Sequence, residues 1–244
     1  MVTGWESIKV ADGTMRLHVS RPDSPGPFPA VVVIQGQKGV DRFIEETTQR
    51  LASAGYVAAA PELYHRDPPD CRDDAPTRRE RLRDATVISD VNAAVEFLKR
   101  QRSVDGRPLA IIGFCMGGRV SYLMAAANPA FKAAADYYGG NVFSPWGDGP
   151  SPFQRTREIG CPIQGHFGVE DNNPSPEDVR KLDAELTRLG KPHEFYSYAA
   201  TGHAFMDPHS DKYRPQSAET AWARMLEFFS KHLAPAKISM TAAS

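Results

Sequence analysis

The chain has 244 residues, with 29 Lys and Arg against 30 Asp and Glu, a formal net charge of −1 and an apolar fraction of 41%. The one dense basic cluster, 78–83, is interrupted by Glu80 and Leu82, so no nucleic-acid partner is expected. No apolar run approaches the ~20 residues that cross a bilayer, residues 1–9 lack the basic-then-apolar pattern of a signal peptide, and three scattered cysteines suit neither a disulfide framework nor a zinc site. These features together lead to the expectation of a cytoplasmic protein without membrane partner, metal or cofactor, carrying free thiols at Cys71, Cys115 and Cys161.

In chain order, 7–10 and 15–20 are short strand-like runs around the turn signal Ala11-Asp12-Gly13-Thr14, which predicts an opening hairpin. The proline-rich stretch 22–29 breaks that pattern. A continuous apolar strand follows at 30–34, then the loop 35–39, then an amphipathic helix over 41–54 stopped by Gly55. Residues 56–60 read as the next buried strand, ended by Pro61, and 62–77 as a long polar segment of the kind that covers a site. Apolar residues at Val87, Val91, Ala94, Val95 and Leu98 predict a helix over 84–101 with one buried face.

The branched run 109–112 reads as a strand that meets Gly113-Phe114-Cys115-Met116-Gly117-Gly118 and then a helix over 119–127. Such a turn reverses sharply from strand to helix, which requires small residues on both sides and throws one side chain up at its apex. Here that side chain is a thiol. Free N–H groups and the positive dipole end of the helix would favour its ionised form. The plainer reading is a glycine-tightened connection beside a structural cysteine.

Beyond the elbow, strands are predicted at 133–138, 162–168 and 194–198, and helices at 178–189 and 218–233, with a loose tail at 235–244. Strands alternating with helices imply a single α/β domain over 1–234, a mostly parallel central sheet with helices on both faces, and reactive groups at the carboxyl ends of the strands.

A thiol nucleophile needs a base to hold its proton and a third group to orient that base. Of the seven histidines, His203 lies in a loop just after the last predicted strand, where it can reach the top of the sheet, and His65 and His209 are its rivals. Asp171 follows the strand 162–168 and is the candidate acid, with Glu170 beside it. A turn rich in Asp and Asn could instead serve only to cap the next helix. The order Cys, Asp, His matches a triad carried on such a sheet. Backbone donors for an oxyanion hole would come from Met116 and from the loop after the third strand, at Gly36 or Gln37.

These residues resemble the dienelactone hydrolases (carboxymethylenebutenolidases) of the α/β-hydrolase fold. The resemblance runs from Ala30 to Leu233. It is carried by Pro61-Glu62-Leu63-Tyr64, the elbow 113–118, Tyr137-Tyr138-Gly139-Gly140, Gly168-Val169-Glu170-Asp171 and Gly202-His203-Ala204-Phe205. It implies Cys115 as nucleophile, Asp171 as acid and His203 as base of a metal-free hydrolase acting on a small lactone or ester through an acyl-enzyme. Substrate contacts are expected from Gly36, Tyr64, Arg81, Trp146 and Phe205, with Arg81 standing for a cluster that includes Arg78, Arg79 and Arg83. Two departures matter: Gly36 stands where the best-known members carry a glutamate that holds the resting thiol, and Ala204-Phe205-Met206-Asp207 follows His203 where they carry a serine directly after the histidine and an arginine a few residues further, for the substrate carboxylate.

Two other readings compete with this one. Carbon–halogen hydrolysis on this fold would ordinarily use an aspartate at the elbow, which Cys115 argues against. A non-catalytic ligand-binding or redox-sensing protein, with Cys115 as sensor thiol, would not require Asp171 and His203. The oligomeric state is left open.

Overall fold

Apolar runs with no polar alternation become the middle of a sheet because both faces of each strand are covered. The computed structural model describes residues 1–104 and 106–234. Its strands are β1 (Val2–Val10), β2 (Gly13–Arg21), β3 (Ala30–Ile34), β4 (Val57–Pro61), β5 (Leu109–Phe114), β6 (Phe131–Tyr137), β7 (Ile163–Gly168) and β8 (His193–Tyr198). They form one eight-stranded sheet in the order β1-β2-β4-β3-β5-β6-β7-β8. β1, β2 and β4 pair antiparallel, and β4, β3 and β5 to β8 run parallel.

The helices are α1 (Arg42–Ser53), α2 (Ala75–Glu80), α3 (Asp84–Lys99), α4 (Met116–Ala127), α5 (Pro176–Arg188) and α6 (Pro215–Leu233). Alternate residues of each central strand feed two cores. Val32, Ile34, Ile111 and Ala134 pack under Val87, Val91, Val95, Val120 and Leu182 of α3, α4 and α5. Val31, Val33, Ile112 and Ala135 pack under Ile44, Leu51, Met225 and Phe229 of α1 and α6. This is the mostly parallel sheet with helices on both faces expected of an α/β-hydrolase.

Differences from the sequence reading fall at element ends. α4 begins at Met116 rather than at 119, because the elbow feeds directly into its first turn. The polar segment 62–77 leads into α2, whose start is set by the Asp74 side chain accepting from the Thr77 N–H at 2.9 Å and by Pro76 in its first turn. The opening strand is longer than expected and begins at Val2. The tail expected at 235–244 lies outside the described residues. Among the described residues no helix is long and apolar enough to cross a membrane.

Candidate active site

The elbow explains its own glycines. A Cβ on Gly113 would overlap the Gly117 carbonyl, and one on Gly117 would overlap the Ile34 carbonyl. Cys115, between them, is held at φ 56° and ψ −118°, a conformation that costs a residue with a Cβ about 1–3 kcal/mol and persists only where its surroundings enforce it. Its N–H donates to the Tyr137 carbonyl at 2.9 Å and its carbonyl accepts from Gly118 at 2.9 Å. The thiol is thereby fixed at the top of the sheet, at the N-terminus of α4.

Three groups reach that sulfur. The His203 ring and the backbone N–H groups of Met116 and Gln37 lie close enough to favour its ionised form, and all three residues line the cleft with it. Burial disfavours a thiolate here, yet the His203 hydrogen bond and charge, followed by the two N–H donors, outweigh it and bring the Cys115 pKa below its ordinary value. Burial likewise opposes an imidazolium, but hydrogen bonds to Asp171 and Cys115 and the charge on both push His203 up to about 9. Both shifts favour the same state, a thiolate beside an imidazolium.

Asp171 follows β7 and His203 follows β8, so the two loops meet over neighbouring strands. Asp171 Oδ2 accepts from His203 Nδ1 at 2.7 Å, and its Oδ1 accepts from the Asn173 N–H at 2.9 Å. Glu170 is exposed. The rival histidines are occupied elsewhere: His65 pairs with Asp90 at 3.2 Å and His209 with Glu46 at 2.7 Å.

A cleft of about 510 Å³ opens over Cys115, with Gln37, Met116, Arg79, Asn141, Trp146 and His203 among its walls and Lys212 and Arg214 at its rim. A second depression of about 900 Å³ adjoins it and shares Arg79, Asn141 and Trp146. Trp146 thus lies where a substrate contact was expected.

Four other expected contacts do not. Arg81 turns outward, 45% exposed, and is paired with Asp67 and Asp73. The arginine on the cleft wall is Arg79. Phe205 is fully buried between Tyr138 and Tyr198, because Ala204, at φ 61°, turns the chain back into the core after His203. Tyr64 is buried beneath the floor, its hydroxyl donating to the Gln37 carbonyl at 3.0 Å. Gly36 lies below Gln37 in a tight turn, its carbonyl accepting from Gly39 at 3.1 Å.

One element of the site was not foreseen. Arg119, fully buried in the first turn of α4, makes a two-pronged pair with Asp84 at 2.6 and 3.1 Å and donates to the Asn141 and Ser144 carbonyls at 3.1 and 2.7 Å. Its guanidinium also stacks 3.8 Å from the centre of the Trp146 ring. A lone arginine between the elbow glycines and Val120-Ser121-Tyr122-Leu123 was the available signal, since a charge in a buried helix needs a partner.

The chain is similar to known proteins along most of its length. The model of the dienelactone hydrolase family matches residues 15–233. A protein of Escherichia coli (strain K12) named "Putative carboxymethylenebutenolidase" is 35% identical over 240 residues, covering 95% of this chain and 88% of its own. One of the same name from Methylorubrum extorquens is 32% identical and covers 95% of this chain and 82% of its own. The crystal structure of a "Putative Dienelactone Hydrolase" from Klebsiella pneumoniae superposes with a TM-score of 0.86 at 32% identity, covering 94% of this chain and 98% of that one.

Proposed function

The chain belongs to the dienelactone hydrolase family and is a lactone or ester hydrolase, and from that premise we propose that it works through an acyl-enzyme on Cys115, with His203 as base and acid and Asp171 orienting the imidazole. One observation carries this reading: a single imidazole lies between the Asp171 carboxylate at 2.7 Å and the Cys115 sulfur at the apex of the elbow. The Asp171 bond places a proton on Nδ1 and leaves Nε2 for the sulfur and the leaving group.

The thiolate attacks the carbonyl carbon, and the oxygen takes up the electron pair between the Met116 and Gln37 N–H groups, which need not move to receive it. Collapse of the tetrahedral species breaks the ester C–O bond while His203 Nε2–H protonates the departing oxygen. In a lactone that oxygen stays tethered to the acyl part. Water, deprotonated by the now neutral His203, then attacks the thioester, and the acid leaves with the thiolate restored.

A small ester or lactone fits a cleft of this size, and an anionic substituent would find Arg79 on its wall. Cys161 is buried with its thiol pushed up to about 12, and Cys71 sits away from the cleft beside Asp73 and Arg81. All three cysteines are free, which fits a cytoplasmic setting.

The test is rapid mixing with p-nitrophenyl acetate. The expected result is a burst of p-nitrophenol equal to the enzyme present, and an acetyl group on the Cys115 peptide by mass spectrometry. Cys115→Ala should lose both while Cys71→Ala and Cys161→Ala keep turnover. Wild-type turnover by the Cys115 variant sinks the assignment.

A further inference from the structure

One buried hydroxyl reaches both residues that line the cleft beside Cys115 and are the candidate oxyanion donors, Gln37 and Met116. Tyr64 Oη donates to the Gln37 carbonyl at 3.0 Å and lies 3.4 Å from Met116 Sδ. The ring is 4% exposed and is not on the cleft wall, so a substrate over Cys115 does not touch it. Burial pushes the phenol up to about 12, which keeps it a donor across neutral pH.

The Gln37 N–H belongs to the Gly36–Gln37 peptide, and two bonds decide where it points. The Gly36 carbonyl is held by Gly39 N–H at 3.1 Å. The Gln37 carbonyl is held by Tyr64. Each peptide flanking Gln37 is thus anchored at its oxygen, and rotation that would swing the donor off the sulfur breaks one of these bonds. An oxyanion donor is effective because it is aimed before the reaction starts. Above the ring, the Arg78 guanidinium stacks 4.2 Å from the Tyr64 centroid while its Nε donates to Asp67 at 2.6 Å.

We propose that Tyr64 is the positioning residue of the oxyanion hole, holding the Gln37 donor on target, and that Arg78 of α2 clamps it there. This rests on the thiol mechanism proposed above, so its test includes a measurement that needs no turnover.

Tyr64→Phe in the full-length enzyme removes the O–H and keeps the ring. Because the Gln37 N–H also stabilises the resting thiolate, the inflection of iodoacetamide alkylation at Cys115 should move to higher pH, by up to about one unit. On p-nitrophenyl acetate kcat should fall about tenfold with KM unchanged, less than the ~10²–10³ lost when a donor itself is removed. Arg78→Gln, at a part-exposed site, should shift both readings the same way by less, and it carries the test if the Phe variant does not fold. An unmoved inflection in the variants that fold overturns the proposal. So does a raised KM with kcat intact, which would make Tyr64 a substrate contact. The alkylation profile is read even if esters are not turned over, so failure of the hydrolase mechanism and failure of this proposal are distinguishable.

Discussion

His203 Nδ1 and Asp171 Oδ2 lie 2.7 Å apart, although the two residues are 32 positions apart and stand on separate loops. Glu170, adjacent in the chain, faces solvent and is tied to the Thr201 carbonyl only through its backbone N–H at 2.9 Å. The pairing fixes which nitrogen of the ring is offered to Cys115.

Asp171→Asn is accordingly expected to fold and to lose about two to four orders of magnitude in kcat, because the amide can bond the wrong tautomer. Glu170→Gln should cost less than about threefold, as expected of an exposed carboxylate on the cleft edge that makes no bond to His203. Steady-state hydrolysis of p-nitrophenyl acetate, with circular dichroism as the control for folding, checks both. A reversed order would make Glu170 the orienting carboxylate.

The ionised pair makes a separate prediction about pH. His203 is raised to about 9 from its ordinary 6.5, so what it adds to stability is complete below the unfolded value and is lost as pH rises through about 9. Cys115 is lowered, so its share is present above the unfolded thiol value and is lost as pH falls through the depressed one. Between about 6.5 and 9 the His203 share falls with pH while the Cys115 share rises, so the two offset each other and the pair leaves stability only weakly dependent on pH. Alkylation of Cys115 by iodoacetamide should therefore inflect below the ~8.5 of a free thiol. An inflection at the free value rules the resting thiolate out.

How much of this could be read beforehand depended on the range of the forces involved. The elbow was legible because its glycines answer a local collision, Gly113 against Gly117 and Gly117 against the end of β3. Asp171 and His203 were legible from chain order and from their place after strands. The substrate contacts depended on rotation and on distant partners. On α2 and its cap, Arg78 is drawn onto Tyr64, Arg79 turns to the cleft, and Arg81 is drawn out to Asp67 and Asp73, and no spacing rule over 78–83 separates these fates. Phe205 is expected as a substrate contact, but Tyr138 and Tyr198 take it into the core. Arg119 and Asp84 meet across 35 positions.

Arg79 and Arg81 can be told apart by an anionic substrate. For the mono-p-nitrophenyl ester of succinic acid, Arg79→Gln should raise KM about tenfold, the effect of losing ~1.4 kcal/mol, and should leave KM for the neutral acetate unchanged. Arg81→Gln should alter neither, since its pairs with Asp67 and Asp73 lie on the surface and surface pairs are worth ~0–1 kcal/mol. Equal effects of Arg79→Gln on the charged and neutral esters would mean that it does not read substrate charge.

Arg119 and Asp84 should matter first for stability and through it for the shape of the cleft. Arg119 is wholly enclosed, and its donors meet both Asp84 oxygens and the Asn141 and Ser144 carbonyls. Asp84 in turn accepts from the Trp146 N–H at 2.9 Å, and its own N–H donates to the Trp146 carbonyl at 2.8 Å. The pair therefore ties the starts of α3 and α4 to the loop that carries the Trp146 wall. Arg119→Met leaves a carboxylate and two carbonyls without their partner, a loss of about 3–5 kcal/mol for a buried pair broken on one side. In a chain of this length each kcal/mol lowers Tm by roughly 2–4 °C, so thermal unfolding should fall by about 10 °C. Arg119→Lys should rescue little, because an ammonium cannot reproduce the fork or the stack on Trp146. Adding Asp84→Leu to Arg119→Met removes the stranded charge, and the double variant should lose less than the sum of the singles. Strict additivity in that cycle would show that the two side chains act independently. In the surviving folded fraction of Arg119→Met, KM should rise more than kcat falls, since the wall moves while Cys115, His203 and Asp171 keep their own supports.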